Sequence, residues 1–130
     1  MAVPTVATYS VAALVAAHTA FRNLIDAGSG AGSIKIRSAS DVLLAQIPLT
    51  DPCGTVNGAT GQLTITMAGR DESADASGTA AYGEFCDSAG LVHLSLPAQV
   101  GSAAVSGNLV INTLTIVAAG PAGVISATVG

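Results

Sequence analysis

A mainly β domain, an antiparallel β-sandwich or jelly roll with one N-terminal α-helix, is the fold class this sequence predicts. Three observations carry the expectation. Apolar residues alternate with polar ones in several short runs, which is the side-chain period of a half-buried strand. Turn-forming pairs punctuate those runs: Asp51-Pro52, Asn57-Gly58, Ser77-Gly78, Ala89-Gly90 and Gly120-Pro121. Helical spacing is confined to one stretch near the N-terminus.

That stretch follows Met1 to Tyr9, which show no periodicity, contain Pro4 and read as an arm. Ser10 supplies the N-cap of a helix expected to reach about Ala27, and Gly28 the left-handed residue that ends it. Leu14, Ala17, Phe21, Leu24 and Ile25 are expected on the apolar face, opposite Ala12, Ala16, Thr19, Asn23 and Asp26. From Gly32 onward the period is two. Ile34 and Ile36 alternate with Lys35 and Arg37, and Leu63, Ile65 and Met67 with Thr64 and Thr66. Val92, Leu94 and Leu96 form a third inward set, with His93 and Ser95 outward. Residues 42–49 (broken by Pro48), 79–86, 110–117 and 125–129 complete about six to eight strands. The chain therefore divides into an arm with an amphipathic helix over 1–28 and a sandwich over 29–130. Aromatic residues make up only 3% of it, so Leu, Ile, Val and Ala have to fill the core.

Charge is the second constraint. Only 9% of the 130 residues are charged, against roughly a quarter in an ordinary soluble domain. The exterior must then consist largely of Ala, Gly, Ser, Thr and Asn, which lose water cheaply when another surface covers them. A net charge of −4 and four scattered cations (Arg22, Lys35, Arg37 and Arg70) disfavour nucleic acid, which selects basic patches. The longest apolar run, Val11 to Ala17, falls far short of the roughly 20 residues of a membrane span, and the chain start lacks the basic segment of a signal peptide. Neither nucleic acid nor membrane is an expected partner.

No residue set reads as catalytic or as a cofactor site. The tract Gly28-Ser29-Gly30-Ala31-Gly32 has the composition of a phosphate loop, but it follows a helix and precedes a strand. That order is the reverse of the one that aims helix amides at an anion. It reads as an elbow, with Gly28, Gly30 and Gly32 as the hinge. Asp71, Glu72 and Asp75 lack the alternation, central glycine and distal glutamate of a calcium loop, so residues 69–78 read as a solvated loop. His18, Cys53, Cys86 and His93 lie too far apart in sequence for the close ligand pairs of a zinc site, and the two cysteines read as small buried hydrophobes. There is no G-x-S-x-G, and neither histidine has an evident partner.

The order of several blocks adds a further reading. LIDAGSGAGSIKIRS (24–38), LLAQIPLTDP (43–52), SADASGTAAYGEFCDSAG (73–90) and LVINTLTIVAAGPAGVISATVG (109–130) follow one another along the chain. The set resembles a family of small virion-associated proteins encoded in the structural modules of tailed bacteriophages, which open with a similar L-x-D-A-G-x-G-A-G-x-[IL]-x-I stretch. Tyr82-Gly83-Glu84 and Cys53 depart from that pattern, standing where bulkier residues are usual. The resemblance implies a structural protein of the virion with no catalytic residues, made in the host bacterial cytoplasm. The leading expectation is a capsid cement or decoration protein that binds the major capsid protein, self-associates as a dimer or trimer and bridges capsomers. The alternatives are a neck, tail or fibre-base adaptor, and a receptor- or glycan-binding sandwich. The last lacks an aromatic platform unless Tyr9 or Tyr82 is exposed beside acidic residues. Leu14, Phe21, Leu24, Ile25, Tyr9 and Tyr82 are the candidate interaction residues, and the helix on its elbow is a candidate latch.

Overall fold

A computed structural model describes residues 9–129, so most of the expected N-terminal arm lies outside the described residues. The helix forms where its period places it. α1 spans Val11–Asp26, and the Ser10 hydroxyl accepts a hydrogen bond from the Ala13 amide at 3.1 Å. Ala27 is its C-cap, and Gly28, at φ +111°, turns the chain away.

Among the described residues nine strands follow: β1 (Ser33–Arg37), β2 (Leu43–Val56), β3 (Leu63–Met67), β4 (Gly78–Thr79), β5 (Tyr82–Cys86), β6 (Val92–Val100), β7 (Leu109–Ile111), β8 (Thr115–Ile116) and β9 (Ser126–Val129). The chain is mainly β with one helix. In place of an antiparallel sandwich, however, seven strands close into a barrel in the order β1-β2-β3-β9-β7-β6-β5, with β4 and β8 paired as a separate ribbon. The β6–β7 pair is parallel and the other pairs are antiparallel.

β2 makes the closure possible. Its first half pairs with β1 and its last residues with β3, across a break in register between Leu49 and Gly54. One bent strand thus serves two neighbours, which turns the sheet back on itself. Gly54 lies where that bend brings backbones together, since a Cβ there would sit 2.2 Å from the Thr64 carbonyl oxygen. The expected strand over 79–86 is interrupted at Ala80 and Ala81, and the one over 110–117 at residues 112–114.

Inside, Ile34, Ile36, Ile47, Leu63, Leu109 and Phe85 are fully buried. Large and small residues alternate on β5: Phe85 fills the lumen, while at Gly83 a Cβ would meet Leu109 at 2.6 Å. The missing side chain is what admits Leu109 from β7.

α1 packs against β2 and touches β6. Its inward face differs from the expected one. Ile25 is fully buried and Phe21 packs on the core, but Leu24 is 51% exposed and Ala17 is exposed, while Thr19 and Asp26 turn partly inward. Two polar contacts set this rotation. The Asp26 carboxylate accepts the Cys53 amide at 2.8 Å, and the His18 ring donates through Nδ1 to the Gly61 carbonyl at 2.5 Å. Gly61, at φ +77°, has no Cβ to collide with Leu14. No helix among the described residues is long and apolar enough to cross a membrane.

Candidate functional surface

A polar groove of about 620 Å³ lies between the 71–75 loop and the 87–90 turn. Lys35 and Gln46 form its floor, Asp71 and Asp75 one wall, Asp87 and Ser88 the other, and no aromatic, Leu, Ile or Val side chain lines it. β1 and β2 place Lys35 and Gln46 side by side because these residues pair across the ladder with their side chains outward. Two of the three carboxylates are already committed to the fold. Asp71 accepts the Gln46 amide at 2.9 Å and the Ser73 amide at 3.0 Å, and its backbone pairs with Ala122. The 69–78 stretch is therefore not a freely solvated loop. It is pinned to β2 and to the 120–122 turn, with Ala74 buried.

Asp87 is the anchor of the opposite wall. Its Oδ1 accepts the Ala89 and Leu91 amides, each at 3.0 Å, and its Oδ2 lies 3.0 Å from His93 Nε2. His93, expected outward, is half-buried in this contact. The hydrogen bond from His93, then those from the backbone, hold the Asp87 carboxyl below the usual carboxylate range. A lowered folded pKa stabilises the fold above the ordinary carboxylate range, and that stability is lost as pH falls through the folded value. Wild type is therefore expected to exceed Asp87→Asn in urea midpoint at about pH 6, with the gap narrowing as pH falls below about 4. A pH-independent gap would assign Asp87 no ionic part in the turn.

A second polar cluster lies on the wall formed by β1 and β5. Arg37 and Glu84 form an ion pair, and the Arg37 guanidinium also donates to the Asp41 carbonyl at 3.1 Å. The Tyr82 hydroxyl donates to the Asp41 carboxylate at 2.6 Å, a bond that raises its pKa. Asp41 adopts φ +67°, and these contacts hold it there. Tyr82 does sit beside an acid, but its hydroxyl is spent on that acid.

The thiols are chemically quiet. Cys53 and Cys86 are buried and free. Burial, then the nearby Asp26 charge, pushes the Cys53 thiol up to about 12, and burial likewise raises Cys86. A neutral thiol is a poor nucleophile and a poor metal ligand. Among the described residues, no three His, Cys, Asp or Glu side chains gather as a metal site would require.

The expected interaction residues do not form one patch. Ile25 belongs to the core, Leu14 and Phe21 are half-buried on α1, Tyr82 is half-buried on β5, and Tyr9 (69%) and Leu24 (51%) face solvent. The elbow glycines are packed to different degrees. A Cβ on Gly32 would lie 2.3 Å from the Cys86 carbonyl oxygen, one on Gly28 would lie 2.3 Å from Ser88 Oγ, and one on Gly30 would meet nothing closer than 4.0 Å. Sequence reasoning missed the exposed apolar residues at strand ends and in loops, among them Leu91, Val100, Val117 and Ile125. Period-two alternation says nothing about residues beyond the ends of a strand. Comparisons with protein families, with curated proteins and with solved structures returned no match.

Proposed function

We propose that the chain is a structural protein of a tailed-phage virion, of the decoration type, which docks on the major capsid protein and bridges capsomers. The observation that carries this reading is the exterior: large apolar side chains stand exposed at strand ends and in loops of a chain that carries few charges. Val42, Leu91, Val100, Val117 and Ile125 are each more than 40% exposed. Only 9% of the chain is charged. Covering such a surface releases water from apolar groups without stripping ions of theirs. The ordered block resemblance supports the virion as the setting. Binding there is the sum of many identical joints, so an interface of about 1,600 Å² suffices at each when the lattice repeats it.

Copy number tests the assignment. Densitometry of purified virions is expected to show hundreds of copies, as a shell lattice requires. About a dozen copies would instead place the protein in a neck, tail or fibre-base ring, and none would remove it from the virion.

A further inference from the structure

The turn between β2 and β3 holds the chain's one Asn-Gly pair. Of its four asparagines, Asn23 and Asn108 precede leucine, Asn112 precedes threonine, and only Asn57 precedes glycine. A following glycine leaves its amide nitrogen open to the asparagine side chain, because it has no Cβ to crowd the approach. Both residues are exposed, and a Cβ on Gly58 would meet nothing within 4 Å.

The turn also fixes the Asn57 side chain. The Gly61 amide donates to the Asn57 carbonyl at 2.7 Å, and the Asn57 amide donates to the Gln62 carbonyl at 2.8 Å. Within that closed loop, Asn57 Oδ1 accepts the Ala59 amide at 2.8 Å and the Thr60 amide at 3.2 Å. Two amides on one oxygen draw electrons from Asn57 Cγ and stand ready to stabilise negative charge that develops on Oδ1. Among the described residues, the Gly58 amide donates to no acceptor, and neither does Asn57 Nδ2. A free nucleophile, a polarised carbonyl and an unheld leaving group thus share one turn.

We infer that Asn57-Gly58 is a self-modification site, at which the Gly58 nitrogen closes on Asn57 Cγ to give a succinimide that water opens to a carboxylate. Base takes the Gly58 amide proton, the nitrogen bonds to Cγ, and the Cγ–Nδ2 bond breaks with loss of ammonia. Water is the one co-reactant. Its addition at Cγ gives aspartate, and its addition at the α-carbonyl gives isoaspartate, whose main chain runs through Cβ and Cγ.

The consequence falls on α1. In isoaspartate the former Asn57 carbonyl leaves the main chain as a carboxylate and one methylene enters, so the loop closed by the Gly61 amide loses its geometry. Gly61 is the seat of the first half of the helix. Its carbonyl accepts His18 Nδ1 at 2.5 Å, and its missing side chain admits Leu14. Isoaspartate at position 57 therefore loosens that half, while Asp26 on the Cys53 amide still holds the other end. None of this depends on what the barrel docks against.

Peptide mapping of the whole folded chain, aged at mildly alkaline pH, tests it. Aspartate and isoaspartate are expected to accumulate at position 57 alone, at a rate that rises about tenfold per pH unit. Gly58→Ala, for which the turn has room, is expected to slow the conversion about tenfold. The same chain unfolded in urea should convert no faster than the folded one, since unfolding takes both amides from Oδ1. Hydrogen exchange on the isoaspartate fraction should show the amides in the first half of α1 opening about tenfold faster, whereas Asn57→Asp should match fresh wild type. An Asn57 that stays intact, or conversion spread evenly over the four asparagines, overturns the proposal. So does faster conversion in urea, or an isoaspartate fraction whose α1 exchanges as in fresh wild type. Virion copy number bears on none of these outcomes, so the two readings can fail separately.

Discussion

Replacing Phe85 by alanine is expected to cost about 3–5 kcal/mol and to lower the melting temperature by roughly 10–25 °C. Phe85 is the one fully buried aromatic side chain in the barrel. It sits between Ile34 on β1 and Leu94 on β6, its ladder partners on either side. Two residues earlier the lumen is filled from the far wall, because Gly83 leaves room for Leu109. The backbones around Phe85 are fixed in closed ladders, so the walls cannot collapse into the space an alanine leaves. The loss therefore includes a cavity as well as the transfer of the ring. In a domain whose whole stability is about 5–15 kcal/mol, this removes a large share. Urea denaturation should show a lower midpoint at an unchanged slope, with Phe85→Leu intermediate. A shift under about 1 kcal/mol would mean that the barrel repacks around the void.

The closed barrel was hidden in the sequence for a reason that β2 makes plain. Alternation reports which side of a sheet a residue faces, and that pattern is the same whether two sheets stack or one sheet closes. What decides closure is a strand long enough to serve two neighbours. Pro48 and Pro52 argued against such a strand, yet both point to solvent, and the ladder resumes at Gly54 beyond them. The parallel β6–β7 pair was equally invisible. Residues 101–108 resemble a hairpin connection, but a ladder of three residue pairs is short enough for eight residues to carry the chain back. The helix was legible in extent and wrong in rotation. Counting apolar residues put Leu24 inside, whereas Asp26 on Cys53 and His18 on Gly61 turned it out. Those contacts join positions 27 and 43 residues apart, and no local pattern carries that information. The same rotation leaves Ala13, Ala17, Ala20 and Leu24 in solvent.

Gly32→Ala is expected to be the second large loss, about 2–3 kcal/mol, whereas Gly30→Ala should be nearly silent. Composition alone treats the elbow glycines as equivalent hinge points, but their surroundings separate them. At Gly32 a Cβ would meet the Cys86 carbonyl oxygen at 2.3 Å and Ile25 Cγ2 at 2.7 Å. The first atom belongs to the β1–β5 ladder, and the Gly32 carbonyl itself accepts the Leu49 amide. The ladder therefore resists, and the strain falls on Ile25 and the end of α1. Lifting that end breaks the Asp26–Cys53 contact and uncovers the Cys53 thiol, which in the wild type is buried and held neutral. A disulfide reagent should accordingly label Gly32→Ala much faster than wild type or Gly30→Ala under native conditions. Equal sensitivity at Gly30 and Gly32 would restore the hinge reading, because a segment selected for flexibility suffers wherever a glycine is stiffened. A selective effect at Gly32 means that the glycine is there for close approach. A latch would then have to pull Ile25 from the core before α1 could swing. The burial of that side chain, worth about 1.5–3 kcal/mol, would keep the helix docked until a partner surface replaced it.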